Sequence, residues 1–370
     1  MKKVTLIAEW YSDNLGDGLL SSCFEKIFSC DSIEVNKIDI SKKEKFNNYI
    51  DDTSLNCQTK SSPSLFKKMI PTGLKQIIII KKNFPDYNKY LYSKNIQDCD
   101  QIIFVGGQMF MWYFSYPIYK IVKLAAKKGI PVYFYACGVG NNKNFLLNKL
   151  LTSALNNPIV KNISCRDDCS YLRSIVKNDD KIKFTYDAGL YCSKLYGIKG
   201  KNSNKVGIGI MFLENIEISK LEKFWKKSID YLLNNEENIE IFCNGNTKDY
   251  SFAYNIYKKY YMNNSNVSFS KKPTSPNELV SIIKKYERII SMRLHSLIIA
   301  SSYEIPITAI FWDKKVELIF NKIQKNLALY NMKDIYDDSS LLLKNSSNDV
   351  SINIIQDKIF RDIIELRGSE

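Results

Sequence analysis

His295 is the only histidine of this 370-residue chain, and it stands two positions after Arg293, one of six arginines. An arginine offers a rigid planar fork of N–H donors that matches a carboxylate or a phosphate. An imidazole takes up or releases a proton near neutral pH. The pair therefore suits proton transfer on an anionic substrate. The alternative is an imidazole that packs at a helix start and is hydrogen-bonded to the backbone.

The residues around this pair predict half of a doubly wound α/β unit. Residues 288–291 predict a short strand, 296–303 an apolar helix and 307–311 a second strand, which leaves Arg293 and His295 in the connection between the first strand and the helix. In open α/β sheets, ligands bind in the crevice beyond the carboxyl ends of the strands. A helix N-terminus at that place adds free N–H groups and the positive end of a dipole, so an anionic ligand is favoured.

Similar loops follow the predicted strands in the first half of the chain. They contain Asn14, Gly16 and Asp17 after residues 4–9, Gly106 and Gly107 after 101–105, Gly138 after 131–136, Arg166 after 159–165, and Asp187 after 182–186. Strands that alternate with helices form a parallel sheet with right-handed crossovers, so their carboxyl ends lie along one edge. We therefore expect a binding rim at this edge.

Several of these residues also have a purely structural interpretation. Asn14 and Asp17 are residue types that cap helices. Arg166 is followed by Asp167 and Asp168, either of which offers it a salt bridge. Asp187 is a residue type common in turns. Both interpretations stay open at this point.

A polar, aperiodic stretch at residues 199–205 is predicted to link two domains. The predicted units are an N-terminal Rossmann-like domain at 1–198, a C-terminal Rossmann-like domain at 205–345 and a terminal helix at 346–370. Residues 42–95 form a poorly defined insertion in the first domain, with amphipathic helices predicted at 65–69 and 74–81.

The net charge of +14 and a pI near 9.1 favour anionic partners. Nearly all of this charge comes from lysines scattered singly or in pairs, without an arginine-rich arm or an aromatic–basic ladder. We therefore expect no nucleic-acid partner, and a peripheral contact with an anionic membrane stays open. No apolar run is long enough to span a bilayer, so we predict a cytoplasmic protein, at most peripheral to the inner face of the membrane.

The nine cysteines are odd in number, irregularly spaced and without a CxxC pair. Together with the single histidine, this pattern predicts neither a metal site nor a disulfide framework. We expect free thiols in a reducing compartment, Cys165 and Cys169 included.

Taken in chain order, these loops resemble those of the polysaccharide pyruvyl transferase family, over roughly residues 1–320. The matching pieces are Asn14-Leu15-Gly16-Asp17, Gly106-Gly107, Gly138-Val139-Gly140, Arg166-Asp167, Asp187-Ala188, Arg293-Leu294-His295-Ser296, Pro306, and Asp313 with Lys315. Gln108 stands where the family often has a third glycine.

The resemblance implies an α/β, GT-B-like fold in which two Rossmann-type, doubly wound parallel-sheet domains face each other across a cleft. A final helix often crosses back to the first domain. The implied reaction moves pyruvate from phosphoenolpyruvate onto a sugar of a surface-polysaccharide or glycan precursor, giving a cyclic ketal and phosphate. The acceptor is lipid-linked, nucleotide-linked or polymeric. No cofactor is expected, because phosphoenolpyruvate is the donor substrate.

From this resemblance and from residue chemistry, we expect His295 to act as acid or base, with Arg166 and Arg293 holding the carboxylate and phosphate of phosphoenolpyruvate. Lys315 is expected to neutralise the leaving phosphate, and a solvated surface lysine is its alternative. The expected substrate-binding residues are Asn14, Gly16, Asp17, Gly106, Gly107, Gly138 and Lys315, and no metal ligand is expected.

Two other functions remain compatible with the sequence. A GT-B glycosyltransferase that uses a nucleotide sugar shares the implied fold, and Asp313 or Glu317 would then hold the ribose. A non-catalytic basic protein that binds anionic lipid or nucleic acid is the second alternative, and it predicts strongly salt-dependent binding.

Overall fold

The structure, a computed structural model, describes residues 1–46, 71–140, 142–197, 203–311, 314–323, 328–344 and 351–368, without the side chains of Lys314 and Lys315. These residues form two six-stranded sheets in which every described strand pair is parallel. The predicted α/β, GT-B-like fold with two doubly wound sheets is confirmed.

The first sheet belongs to the N-terminal half of the chain. Its strands are β1 (Lys2–Ala8), β2 (Ile33–Asp39), β3 (Gln101–Val105), β4 (Val132–Cys137), β5 (Val160–Cys165) and β6 (Ile182–Phe184). The helices of this half are α1 (Leu15–Phe28), α2 (Thr72–Asn83), α3 (Tyr87–Ser93), α4 (Trp112–Lys128), α5 (Phe145–Leu155), α6 (Ser170–Ile175) and α7 (Cys192–Leu195). The strand order is β2-β1-β3-β4-β5-β6, so the order reverses between β1 and β3.

The second sheet follows the same plan in the C-terminal half. Its strands are β7 (Val206–Gly209), β8 (Ile239–Phe242), β9 (Val267–Phe269), β10 (Arg288–Ser291), β11 (Ile307–Phe311) and β12 (Leu329–Asn331). Its helices are α8 (Ile218–Asn234), α9 (Thr247–Ile256) with a π-helical extension (Tyr257–Tyr261), α10 (Pro276–Ile283), α11 (Leu294–Ser302), α12 (Lys314–Phe320) and α13 (Met332–Asp337). The order β12-β11-β10-β7-β8-β9 reverses between β7 and β10.

One apolar core joins the two halves. Its buried residues include Leu6 of β1, Phe24 of α1, Leu297 of α11 and Ile359 of the terminal helix α14 (Ile352–Glu365). The strands themselves are apolar runs, as expected for parallel sheets that are covered on both faces. Because α1 and α11 contribute to one core, the loops that precede these two helices are held close together.

The end of the chain lies against the first sheet. Beyond α14, the Arg367 guanidinium donates to the carbonyls of Ile27 and Phe28 at the end of α1, at 2.6 and 2.9 Å. Lys2 Nζ donates in turn to the carbonyl of Arg367 at 2.6 Å. The terminal segment therefore ties the C-terminus to the first strand and the first helix.

Two helices start earlier than the sequence predicts. The apolar spacing predicts a helix at residues 117–128. The observed helix α4 begins at Trp112 and contains Pro117 in its second turn, where the proline removes one intrahelical hydrogen bond. Helix α11 begins at Leu294, so His295 lies in its first turn and not in the preceding connection. The helix predicted at residues 65–69 lies outside the described residues. In the described part of the chain, no helix combines the length and apolarity needed to cross a membrane.

The prediction of free thiols is wrong for one pair. Cys165, the last residue of β5, forms a disulfide with Cys169. The two cysteines enclose the loop that carries Arg166 and Asp167, so the disulfide closes that loop at its base. Spacing alone gave no sign of it, because the pairing depends on how the loop turns after the strand.

Candidate active site

A cavity of about 380 Å³ lies between the two halves, at the carboxyl ends of both sheets. Its polar wall comes mainly from the loops after β1, β5 and β10 and from the start of α11. Strands β1 and β10 each border a point where the strand order reverses, which is where doubly wound sheets bind ligands. The cavity is lined by six of the predicted site residues: Asn14, Asp17, Gly138, Arg166, Arg293 and His295.

Arg166 lies in a cluster of charges that joins the two halves. Its Nη1 donates to Asp187 Oδ2 in a buried ion pair and lies 3.3 Å from Nε2 of His295. The same Nε2 is 3.8 Å from Oδ1 of Asp17. Burial by itself lowers the pKa of the Arg166 guanidinium, but the charges of Asp187, Asp17 and Asp167 outweigh burial and raise that pKa. Arg166 therefore stays charged in its buried position.

The contact with Arg166 also indicates which nitrogen of His295 carries the proton. A guanidinium has donors and no acceptor, so at 3.3 Å from Arg166 Nη1 the Nε2 atom is the acceptor. The neutral imidazole then carries its proton on Nδ1 and has its lone pair on Nε2. In this arrangement the Nε2 lone pair is directed at Arg166 Nη1.

Arg293 is held in place by a carboxylate of α9. Its Nε and Nη2 lie 2.7 and 2.6 Å from Oδ2 of Asp249, and the other Asp249 oxygen accepts from the backbone N–H of Phe212 at 2.9 Å. Burial raises the pKa of the Asp249 carboxyl, while the charge of Arg293 lowers it. The Arg293 side chain keeps 18% of its surface exposed against 1% for Asp249, so Asp249 supports Arg293 from behind the cavity wall.

Two buried polar atoms at the cavity lack a hydrogen-bond partner within the described ranges. They are Nε of Arg166, a donor, and Oδ1 of Asn14, an acceptor. A Cβ at Gly138 would lie 3.4 Å from Arg166 Nε, so the glycine leaves room beside the donor. An unsatisfied buried polar group costs about 1–3 kcal/mol. A ligand with an anionic oxygen and a hydroxyl would satisfy both atoms.

Glu9, the first residue after β1, also lines the cavity. The pKa of its carboxyl is raised from 4.5 to about 8, first by burial and then by the charges of Asp17 and Asp39, against the opposite effect of Lys43 and Arg166. At neutral pH the carboxyl is therefore protonated and can donate a proton to a bound molecule.

The sequence matches the family model of polysaccharide pyruvyl transferases over residues 14–314, which include both arginines of the cavity and His295. The chain belongs to the polysaccharide pyruvyl transferase family. No curated protein matches the sequence.

Solved structures similar to this chain include three UDP-GlcNAc 2-epimerases. For the Methanocaldococcus jannaschii enzyme in complex with UDP-GlcNAc and UDP, the TM-score is 0.55 at 14% identity, covering 100% of both chains. For the Neisseria meningitidis enzyme bound to UDP-GlcNAc, the TM-score is 0.56 at 13% identity, and the match covers 99% of this chain and 100% of that chain. For the putative Listeria monocytogenes enzyme, the TM-score is 0.59 at 10% identity, and the match covers 100% of this chain and 98% of that chain. At these identities the similarity shows the fold alone.

Three glycines predicted to bind substrate lie beside the cavity wall and not among the residues that line the cavity in the described structure. A Cβ at Gly16 would lie 2.2 Å from Cβ of His295, so this glycine lets α1 and α11 approach closely. Gly106 has φ +50°, and a Cβ there would collide with α1. Gly107 has φ +64°, and its carbonyl accepts from the N–H of Gly138 at 2.7 Å. These glycines shape the wall that positions His295.

Asn14 and Asp17 do not act as the helix caps that the sequence allowed. Asn14 is the N-cap residue of α1, but its side chain makes no capping hydrogen bond. Instead, Nδ2 of Asn14 donates to Oδ2 of Asp17 at 3.1 Å. Both side chains are thus directed toward the cavity that they line.

Asp187 is the ion-pair partner of Arg166, in place of the neighbouring Asp167 or Asp168. Its other oxygen accepts from the N–H of Gly189 at 2.8 Å, so Asp187 also has the predicted turn role. The Asp167 carboxylate accepts instead from the N–H of Val139, at 3.0 Å.

Lys315 lies in α12, and its side chain falls outside the described part of the structure. A lysine that the sequence interpretation did not single out, Lys322, donates from Nζ to the carbonyl of Asp167 at 2.9 Å and so connects the two halves. Glu9 and Asp249 were also missed. Glu9 had a usable signal, a single acid directly after an apolar strand. Asp249 had none, because it lies on another helix from Arg293.

Proposed function

We propose that this protein transfers pyruvate from phosphoenolpyruvate to two hydroxyls of a sugar in a polysaccharide or glycan precursor, forming a cyclic ketal and releasing phosphate. The main support is that Arg166 and Arg293, from opposite halves, line one cavity of about 380 Å³. Phosphoenolpyruvate carries a carboxylate and a phosphate, and a planar guanidinium binds either group. The unpartnered Nε of Arg166 offers a donor for one of them.

The reaction requires one proton to be delivered to carbon and one to be removed before phosphate leaves. The first sugar hydroxyl forms a bond to C2 of phosphoenolpyruvate and loses its proton, while the C3 methylene gains a proton and becomes a methyl group. The bond between C2 and the phosphate oxygen then breaks, and phosphate leaves with the electron pair. The second hydroxyl bonds to C2, and its proton ends on the released phosphate.

Two residues at the cavity match these steps. His295 takes the proton of the attacking hydroxyl on Nε2, once the hydroxyl replaces Arg166 Nη1 as the partner of that atom. Glu9, which is protonated at neutral pH, donates a proton to C3. Asn14 and Asp17, which line the cavity, orient the acceptor hydroxyls. Lys315 neutralises the leaving phosphate, a role that comes from the family resemblance alone.

Protection against thermal unfolding tests the donor. Phosphoenolpyruvate should raise Tm with increasing concentration, since a ligand that binds only the folded state stabilises it. UDP-GlcNAc should give no comparable rise. Protection by a nucleotide sugar and none by phosphoenolpyruvate would instead support a GT-B glycosyltransferase.

Mass spectrometry tests the product. The protein should be incubated with phosphoenolpyruvate and with lipid-linked, nucleotide-linked or polymeric sugars. The expected product gains the mass of pyruvic acid minus one water, with one phosphate released for each product molecule. Phosphate release without a gain of mass on any acceptor would indicate hydrolysis and would argue against transfer.

Replacing Asp249 with asparagine should raise KM for phosphoenolpyruvate about 10- to 100-fold, with a smaller change in kcat. The reason is that Arg293 loses two charge-assisted contacts, each of a kind that contributes about 1.5–3 kcal/mol. Steady-state phosphate release measures both constants. As a control, Glu217→Gln removes the exposed ion pair with Lys220 and should change neither. A loss of kcat with an unchanged KM would contradict a supporting role for Asp249.

A further inference from the structure

Five large apolar side chains are exposed on two neighbouring helices, outside the residues that line the cavity. They are Leu74, Ile78 and Ile79 of α2 and Phe145 and Leu146 at the start of α5, with exposed fractions from 41% for Ile79 to 77% for Phe145. They make up five of the twelve large apolar side chains exposed in the described part of the chain. We call this surface the α2–α5 face. Single exposed apolar residues are ordinary, but a cluster marks an interaction surface.

The two helix starts that form this face are joined to each other and to the first domain. Nδ2 of Asn144 donates to the carbonyl of Gly73 at 2.9 Å and to Oε1 of Gln76 at 3.1 Å. Ile80 and Phe84 are buried and anchor α2 in the core of the N-terminal half. The exposed apolar side chains therefore belong to one supported surface and not to two independent helices.

The charged side chains of the two segments that carry this face are all positive. Residues 71–85 and 142–157 contain no acidic residue, and their lysines are Lys75, Lys81, Lys82, Lys143 and Lys149. Leu74 and Ile78 lie one turn apart, with Lys81 and Lys82 beside them at the end of α2. An apolar ridge flanked by lysines suits a helix that lies on an anionic bilayer, because the apolar groups enter the acyl boundary and the lysines reach the phosphates.

The face borders the wall of the cavity. At the end of α2, Nδ2 of Asn83 donates to Oη of Tyr113 at 3.1 Å, and the rings of Phe84 and Tyr113 are 5.2 Å apart. Tyr113 lines the cavity. A partner that binds to α2 would therefore lie close to the cavity.

We propose that the α2–α5 face docks this protein on an anionic lipid surface. The apolar side chains of the face insert into the acyl boundary of the bilayer, and its lysines favour anionic head groups. The docking does not depend on the reaction proposed above. Its use, to bring the cavity to a lipid-linked acceptor at the bilayer interface, rests on that proposed function.

Vesicle flotation of the full chain tests the docking. The protein should float with vesicles of equal parts phosphatidylcholine and phosphatidylglycerol and not with phosphatidylcholine alone, and salt should weaken the binding. Lys81→Gln combined with Lys82→Gln should weaken binding to the anionic vesicles about 30-fold, from about 1 kcal/mol for each lysine. Ile78→Ser should weaken it about tenfold or more.

Two control variants match these changes elsewhere on the surface. Lys127→Gln with Lys128→Gln alters an exposed lysine pair in the last turn of α4, and Ile354→Ser alters an exposed isoleucine of α14. Neither should change flotation. All variants should keep the wild-type Tm and the phosphate release on a soluble acceptor, which separates loss of docking from loss of folding or of activity.

Three results would overturn the proposal. The wild type would not float with anionic vesicles, which is also the outcome if another part of the chain covers this face. The second is an equal loss of flotation in the control and test variants, which would indicate a diffuse charge effect. Or Ile78→Ser would abolish self-association in sedimentation without affecting flotation, which would assign the face to a second copy of the chain.

Discussion

Replacing His295 with asparagine is expected to lower kcat for phosphate release from phosphoenolpyruvate and acceptor by about 10²–10⁴-fold, the usual contribution of a positioned acid or base. The side chain is buried, and its Nε2 lies 3.3 Å from Arg166 Nη1 and 3.8 Å from Asp17 Oδ1. Asparagine keeps a polar group in this place but has no titrating nitrogen. Protection against unfolding by phosphoenolpyruvate should persist, because Arg166 and Arg293 remain.

A structural role for His295 makes a different prediction. The imidazole packs directly over Gly16, so its loss would then lower Tm and weaken phosphoenolpyruvate binding together with kcat. Ser301→Ala on the same helix is a suitable control, since Ser301 is equally buried and its hydroxyl has no hydrogen-bond partner in the described structure. An unchanged kcat in the asparagine variant would refute the role of His295 as the base.

Much of the fold follows from the sequence because parallel strands are local apolar runs. Residues 101–105 and 307–311 were predicted with the same bounds as β3 and β11, since each run is apolar and lies between turn residues. Helix starts were less predictable. The sequence prediction placed the start of a helix at Pro117, because proline commonly marks a helix boundary. In the structure, helix α4 begins at Trp112 and tolerates the one hydrogen bond that Pro117 removes.

The candidate site was predictable in its membership and less so in its contacts. Arg166 follows a strand of the first sheet and His295 follows a strand of the second, and the rule that strands of a parallel sheet end at one edge places each residue at the binding edge of its own sheet. Their mutual distance depends on how the two halves pack, and the pairing of Arg166 with Asp187 depends on how the loops after β5 and β6 turn. The glycines show the same limit. Gly16 was expected to contact substrate, but a glycine is required there because a larger residue would collide with the side chain of His295.

Glu9 illustrates why a protonation state cannot be read from sequence. It was predicted as the last residue of a buried strand, whereas β1 ends at Ala8 and Glu9 begins the loop at the cavity. The pKa of about 8 comes from burial and from Asp17 and Asp39, which reach Glu9 through the fold. Tyr113 of α4 lies near Glu9 and Asp39, and the pKa of its hydroxyl is raised, chiefly by burial.

If Glu9 donates the proton to C3, Glu9→Gln should lower kcat by about 10²–10⁴-fold while KM for phosphoenolpyruvate changes little, because glutamine has no acidic proton to transfer. The wild-type kcat should fall as pH rises through about 8, where Glu9 loses its proton. Glu34→Gln makes the same substitution at an exposed position of β2 and should keep both kcat and its pH profile.

The same residue should make stability depend on pH in a defined direction. The pKa of Glu9 is raised from 4.5 to about 8 on folding, so the folded chain holds a proton that the unfolded chain has already released between these values. This contribution to stability is complete below pH 4.5, declines as pH rises toward 8, and stays lost above it. Glutamine mimics the protonated form at every pH, so Glu9→Gln should unfold at a higher temperature than the wild type at pH 8.5 and at about the same temperature near pH 4.5. Melting curves across this range measure the difference. A gap that does not change with pH would mean that folding does not raise the pKa of Glu9, which would then be ionised at neutral pH and would not be the proton donor.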